Sequence, residues 1–338
     1  MLYNPLYNSY IGCNFEKIAL EYKKIKALQK AVSRRLNMKL SKVLFGSAVL
    51  AALVFGFASC KEDEDEHDLL EVSGSTASVD YTNETKTMQR GFVSTRTNHR
   101  AAVAVFTIDT KASTKDAGNL GFLFDVVKTS ASDHKTANDG VTVDTYSFGN
   151  VTVNYNGTNL RTYVSLFKGV ATKDANGNSL LDNSSNFKGA DGKEASASGN
   201  GVTSAKETEC LKTWTSLSGI KADSNGLMKV AVVVTPVAPT SDDANGSYSV
   251  NFYDASSVSS SGSKSDPSSW VSSSAKSLAS ATVAASWTAK ASTVESKLPQ
   301  SLIAFYAAVK PKSTFVGNIN LPYIQNEAEV IEWDDVQY

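Results

Sequence analysis

The stretch Thr145 to Val170, TYSFGNVTVNYNGTNLRTYVSLFKGV, decides the fold. Val151, Val153 and Tyr155 alternate with polar residues, and beyond Asn156-Gly157 a second β-branched and aromatic run extends from Arg161 to Val170. Period-two spacing puts alternate side chains on one face of a strand. Asn-Gly tolerates positive φ at low cost, so it reverses the chain between two strands.

The same grammar extends outward in both directions. Ala101 to Ile108, Gly121 to Val127, Val141 to Phe148, Met228 to Val237, Tyr248 to Tyr253, Leu302 to Lys310 and Thr314 to Leu321 are further short runs bounded by turn residues. Asp139-Gly140, Asn176-Gly177, Asn225-Gly226 and Asn245-Gly246 add reversals. Asp-Ala-Asn-Gly occurs at 174 to 177 and at 243 to 246 with different flanks, which is repeated turn chemistry rather than a repeat protein. No amphipathic helical stretch accompanies these runs. The pattern predicts an all-β domain over 101–325, an antiparallel two-sheet β-sandwich.

Two segments interrupt the series. Residues 171 to 210 are rich in Asn, Gly, Ser, Asp and Lys, and residues 254 to 286 contain SSVSSSGSKSDPSSW and SSSAKSLAS. Such compositions bury little apolar surface, so both read as exposed excursions, of the sort that carry recognition surfaces at one end of a sandwich. Residues 60–100 read as an acidic and polar flexible tether, and 326–338 as a solvated acidic tail.

The N-terminal part has a different character. Met38-Lys39-Leu40-Ser41-Lys42 supplies two positive charges, and Val43 to Phe57 an uncharged apolar segment of secretory length. A spanning helix needs about 20 apolar residues to cross about 30 Å of hydrocarbon, and this run is shorter and contains Gly46, Ser47 and Gly56. Ala58, Ser59 and Cys60 follow, and then Lys61-Glu62-Asp63-Glu64-Asp65-Glu66. These residues resemble a bacterial lipoprotein signal, with Phe57 where that family most often has Leu. The resemblance implies cleavage after residue 59 and acyl chains on Cys60, which would attach the protein to a membrane. Each buried methylene contributes about 0.8 kcal/mol, and lasting attachment takes more than one chain. An acidic start after the cysteine is also similar to a surface-export tag of some Gram-negative lipoproteins, so the expected location is the cell envelope, at the outer membrane or cell surface.

Ahead of Met38, Ile18, Tyr22, Ile25, Leu28, Val32 and Leu36 recur at helical spacing among lysines and arginines. Because Met38 begins a complete signal, residues 1–37 read as an upstream start or as a basic cytoplasmic extension. Removing residues 1–59 takes nine of the 33 basic and two of the 34 acidic residues, leaving a net charge near minus eight. That charge argues against nucleic acid as a partner. Cys13 is lost and Cys60 acylated, so Cys210 stands alone and no intrachain disulfide is expected.

From Ala101 to Leu321 the order of runs, GFLFDVV, then the quoted stretch, then GLMKVAVVVTPVAPTSDDANGSYSVNFYD and LIAFYAAVKPKSTFVGNINL, is similar to the concanavalin-like jelly-roll family. That family includes lectins, laminin-G-like modules and glucan hydrolases, so the resemblance implies glycan binding or glycan hydrolysis.

The residues argue against catalysis. Retaining hydrolases of that fold carry Glu-x-Asp-x-x-Glu on one strand, which sets two carboxylates about 5 Å apart, and no strand run here has that spacing. Glu327, Glu329, Glu332, Asp334 and Asp335 fall in the tail around Trp333. Of three histidines, His67 and His99 fall in the tether and His134 in a loop beside Asp133, and the Ser273 to Lys276 spacing falls in a serine-rich loop. No phosphate-cradling glycine loop and no Cys/His metal spacing occurs, so no cofactor is expected. Asp174, Asn176 and Asn178 match the alternating oxygens of a calcium loop, although Ser179 and Ser185 stand where such loops carry Gly and Glu; a plain turn is the competing reading. The acidic run 62–68 reads as a spacer, because sequential carboxylates point in all directions.

Aromatic rings are the remaining handle, since sugar faces stack on them while polar groups fix orientation. Trp214 and Trp270 fall in or beside the long excursions, with Trp287 nearby, and are the candidate ligand-binding residues; Tyr146 and Tyr163 fall on strand runs, where core packing competes. The expectation is a non-enzymatic lipid-anchored protein binding glycan or another surface ligand, or alternatively an adhesive protein with a protein partner.

Overall fold

In a computed structural model of the chain, the residues described are 69–73, 75–97, 101–129, 143–174, 179–181, 186–201, 203–239, 245–259, 262–263, 267–286, 301–322 and 329–331. The signal segment, Cys60, the acidic run, the three histidines, Asn176, Asn178, Trp287 and Trp333 lie outside them. No helix among the described residues is long and apolar enough to cross a membrane.

Strand follows strand along the described chain: β1 (Glu71–Ser73), β2 (Thr76–Asn83), β3 (Gln89–Thr97), β4 (Ala102–Asp109), β5 (Gly118–Thr129), β6 (Thr145–Tyr155) and β7 (Leu160–Ala171). Then come β8 (Lys206–Ser216), β9 (Leu227–Val237), β10 (Ser247–Asp254), β11 (Ala279–Ala284), β12 (Ser301–Val309), β13 (Ser313–Asn320) and β14 (Glu329–Ile331). They form two seven-stranded sheets, ordered β1-β2-β13-β4-β9-β10-β11 and β14-β3-β12-β5-β6-β7-β8. All pairings between named strands are antiparallel. The chain is therefore the all-β two-sheet sandwich that its alternation predicts.

Its core is made by the alternate residues that face between the sheets. Phe106, Val230, Val232 and Ile108 from one sheet meet Phe122, Phe124, Val151 and Val153 from the other, all fully buried. Rings link across the gap, with Phe106 and Phe122 centroids 6.1 Å apart and Phe124 edge-on to Tyr248 at 5.2 Å. Gly149 lies under the Phe124 ring, where a Cβ would collide with it. Burying a large apolar side chain contributes roughly 1.5–3 kcal/mol, so this layer supplies most of the stability.

Several expectations change. The segment 71–97, read as tether, contributes β1, β2 and β3; Ala77 and Val79 on β2 are buried in the core. Its polar residues alternate with small apolar ones, which is sufficient where one face of a strand is covered. Glu329–Ile331, read as tail, pairs with β3. The runs 141–148 and 151–155 merge into the single strand β6.

The excursions keep most of their polar residues exposed, as their composition predicts, but each also docks on a sheet through buried apolar side chains. Residues 186–205 fold over the outer face of β5, β6, β7 and β12, and Phe187 from that segment packs among Phe148, Phe167 and Tyr306 at centroid distances of 5.1, 4.9 and 6.0 Å. The segment 255–278 covers the other sheet: its 3-10 turns at Ala255–Ser257 and Pro267–Trp270 contact β9. There Val103 and Val233, on the outward side of their strands, are buried with Trp270. Each cover carries one large apolar side chain that a composition reading averages away. They also leave from opposite ends of the sandwich, because β7 ends beside the start of β6 whereas β10 ends beside the start of β9.

Candidate functional site

With both outer faces partly covered, one strip of the β5–β8 outer surface stays partly accessible beside the Asn156-Gly157 turn; Asp116, Asn119, Arg161, Tyr163 and Trp214 are half-buried there, and Asn154 in their midst is buried. Register builds it: Asn119 on β5 lies opposite Asn154 on β6, and Asn154 opposite Arg161 on β7. Their side chains are bonded in series. Asn154 donates from Nδ2 to Asn119 Oδ1 at 3.4 Å, and Arg161 donates from Nε to Asn154 Oδ1 at 3.2 Å. The far side of the guanidinium pairs with Asp116, which sits in a left-handed backbone conformation, φ 54°, just before β5.

Aromatic residues wall this row. Tyr163, two residues along β7, meets Trp214 edge-on with centroids 5.2 Å apart and planes at 81°. The Arg161 guanidinium carbon stands 5.3 Å from the centre of the Trp214 ring, a cation–π geometry. Trp214 and Tyr163 are both half-buried.

A bulge in β8 aims the tryptophan. Pairing with β7 shifts register twice around Val164, and Trp214 takes φ 57°. Glu209 fastens the bulge by accepting from the Thr213 backbone N–H at 3.0 Å and hydroxyl at 2.6 Å. Those bonds favour the carboxylate and hold the Glu209 carboxyl below its ordinary pKa. Cys210, next along the edge, is pushed the other way by burial, with a backbone bond at Leu166 opposing. Deeper under the cover, Tyr306 lies over Gly121 and hydrogen-bonds the Thr152 hydroxyl, while Asn150 donates to that hydroxyl at 3.2 Å.

The predicted site residues thus separate. Trp214 joins the strip. Trp270 is only 5% exposed, its Nε1–H donates to Ser263 O at 3.1 Å, and its ring packs against Gly262, so it belongs to the cover and offers no platform. Asp174 is half-buried, and its two proposed calcium partners lie outside the described residues. No cluster of three or more His, Cys, Asp or Glu suited to a metal occurs among the described residues. Asp116, Asn119, Asn154 and Arg161 were not foreseen. The signal was present, because alternation puts Asn154 and Arg161 on the side opposite Val153 and Val164, and a hairpin closed at Tyr155 and Leu160 aligns them.

Chemically, the strip offers carboxamide, guanidinium and carboxylate groups in a line beside a flat ring. A hydroxylated ligand with one apolar face suits it. Comparison with models of known families, with curated proteins and with solved structures gave no match.

Proposed function

We propose that the chain is a lipid-anchored envelope protein that binds glycan without chemical turnover, through the strip formed by Asp116, Asn119, Arg161, Tyr163 and Trp214, with the buried Asn154 bracing the row from beneath. The observation that carries the reading is Trp214: a bulge with its own carboxylate clamp holds a half-exposed ring in a left-handed backbone conformation beside a bonded polar row. A large aromatic held in a sparsely populated conformation at the surface is a feature of binding sites. Arg161 and Asp116 neutralise one another, which suits an uncharged sugar. Attachment through Cys60 rests on the apolar run Val43 to Phe57 and the Ala58-Ser59-Cys60 boundary. It places the strip on the cell envelope, at the outer membrane or cell surface.

A glycan array, followed by titration of the retained sugar, tests the binding. Trp214→Ala should lower affinity roughly five- to a hundredfold, taking as the scale the roughly 1–3 kcal/mol that a base stacked on one ring contributes, and Arg161→Ala should lower it as well; thermal melting of both variants checks that the loss is not unfolding. An empty array, combined with capture of a protein partner, would reject glycan in favour of adhesion. For the anchor, Cys60→Ser should release the protein from membranes, and continued membrane retention would refute acylation there.

A further inference from the structure

The turn that joins β6 to β7 is bonded through the side chain of its first residue. Asn156 N–H donates to Asn159 O at 3.1 Å, and Asn156 Oδ1 accepts from the backbone N–H groups of Thr158 at 2.9 Å and Asn159 at 2.8 Å. A carboxamide that bonds the N–H two residues on folds back along its own chain, toward the peptide that leads to Gly157. Gly157 is exposed at φ 93° and has no Cβ to shield its nitrogen. Two donors on Oδ1 act on this carbonyl as an oxyanion hole acts on a substrate: they draw electron density from Cγ and stabilise the negative oxygen that forms when a nucleophile adds there. Other Asn-Gly pairs lack the combination. Gly201 N–H donates to Ser204 O at 2.8 Å and Gly226 N–H to Asp223 O at 2.9 Å, which fixes each nitrogen in its own turn, and Gly246 is buried. Among the described residues no backbone acceptor takes the Gly157 N–H.

We propose that Asn156 is a modification site prepared by the fold itself, which deamidates through a cyclic imide. The Gly157 nitrogen gives up its proton to water and bonds to Asn156 Cγ, and Nδ2 leaves as ammonia carrying a proton in return. Water then opens the ring on either side. One opening leaves aspartate, which keeps an acceptor for Thr158 and Asn159. The other leaves isoaspartate, in which the main chain runs through the former side chain and the loop is longer by one methylene. That insertion falls beside the Tyr155 and Leu160 pair, and Asn154 with Arg161 is the next pair inward. The polar row beside Trp214 therefore loosens as the protein ages, whatever ligand the strip takes.

Peptide mass spectrometry of the full chain, held in detergent at mildly alkaline pH in water enriched in heavy oxygen, tests the proposal. The peptide containing Asn156 should lose its carboxamide nitrogen and gain one labelled oxygen, at least about tenfold faster than the peptides containing Asn200 and Asn225. Isoaspartate should accumulate at that position. In urea the advantage should vanish, because both donors to Oδ1 are lost with the fold. Asn156→Gln, whose longer side chain would have to close a larger ring, should stay unlabelled there. An Asn156 that reacts no faster than Asn200 and Asn225 in the folded chain, or as fast in urea as when folded, would overturn the proposal.

Discussion

The carboxylate of Asp125 accepts two hydrogen bonds from Ser286, from its backbone N–H at 2.9 Å and its hydroxyl at 2.8 Å. Asp125 sits at a bulge of β5 with φ 51° and is 5% exposed, whereas Ser286 follows β11 in the opposite sheet. One side chain therefore pins the two layers together at a point where strand pairing is interrupted.

Removing that pin should cost stability. Asp125→Ala removes both acceptor contacts to Ser286 and places alanine in a left-handed conformation, so a loss of about 1–3 kcal/mol is expected by urea denaturation. Asp125→Asn, which tolerates positive φ and keeps an acceptor, should lose less than half of that. Equal losses would show that the bonds to Ser286 do not set the stability.

Gly121 lies beneath the Tyr306 ring and beside the Val151 carbonyl, and an added Cβ would overlap both. Gly121→Ala should destabilise by about 1–3 kcal/mol and move Tyr306 away from Thr152. A structure of the variant, or the tyrosine near-UV dichroism, would register the displacement.

The two covers depend on single plugs. Phe187→Ala and Trp270→Ala should each lower stability by about 3–5 kcal/mol. Limited proteolysis should then cut first within 179–205 for the former and within 255–278 for the latter. Cleavage elsewhere in either variant would mean that the plug does not hold its cover.

Glu209 makes the Trp214 bulge sensitive to acid. Its carboxyl is depressed in the folded chain by the bonds from Thr213, so the clamp is complete above the ordinary carboxylate range and is lost as pH falls through the lowered value. The share of emission that disappears in Trp214→Phe should therefore shift to the red only at pH below the ordinary carboxylate range. Glu209→Gln retains an acceptor that does not titrate and should flatten that step while keeping the neutral-pH spectrum. An acid shift unchanged in that variant would assign it to another group.

Period-two alternation located β4 to β7, β9, β10, β12 and β13, because strands with one fully buried face must repeat apolar residues at every second position. β1, β2 and β3 escaped notice because small residues such as Ala77 suffice where facing side chains are large. β8 and β11 were hidden inside serine-rich or charged composition for a related reason: an edge strand buries too little to announce itself. Trp214 could be picked out by residue type, but not separated from Trp270, since both stand in polar surroundings along the chain. Only tertiary placement shows one ring walled by Tyr163 and Arg161 and the other sealed against Gly262.

The hydroxyls of Thr82 and Thr314 touch at 3.0 Å although 232 positions separate them, and β3 likewise joins β12. Neither layer can knit shut until the last strands have been synthesised. Loops of that length close slowly, so the polypeptide should persist in an open state during and shortly after translation. During that interval the strand edges stay unpaired, so the yield of folded protein should fall as the concentration of newly made chain rises.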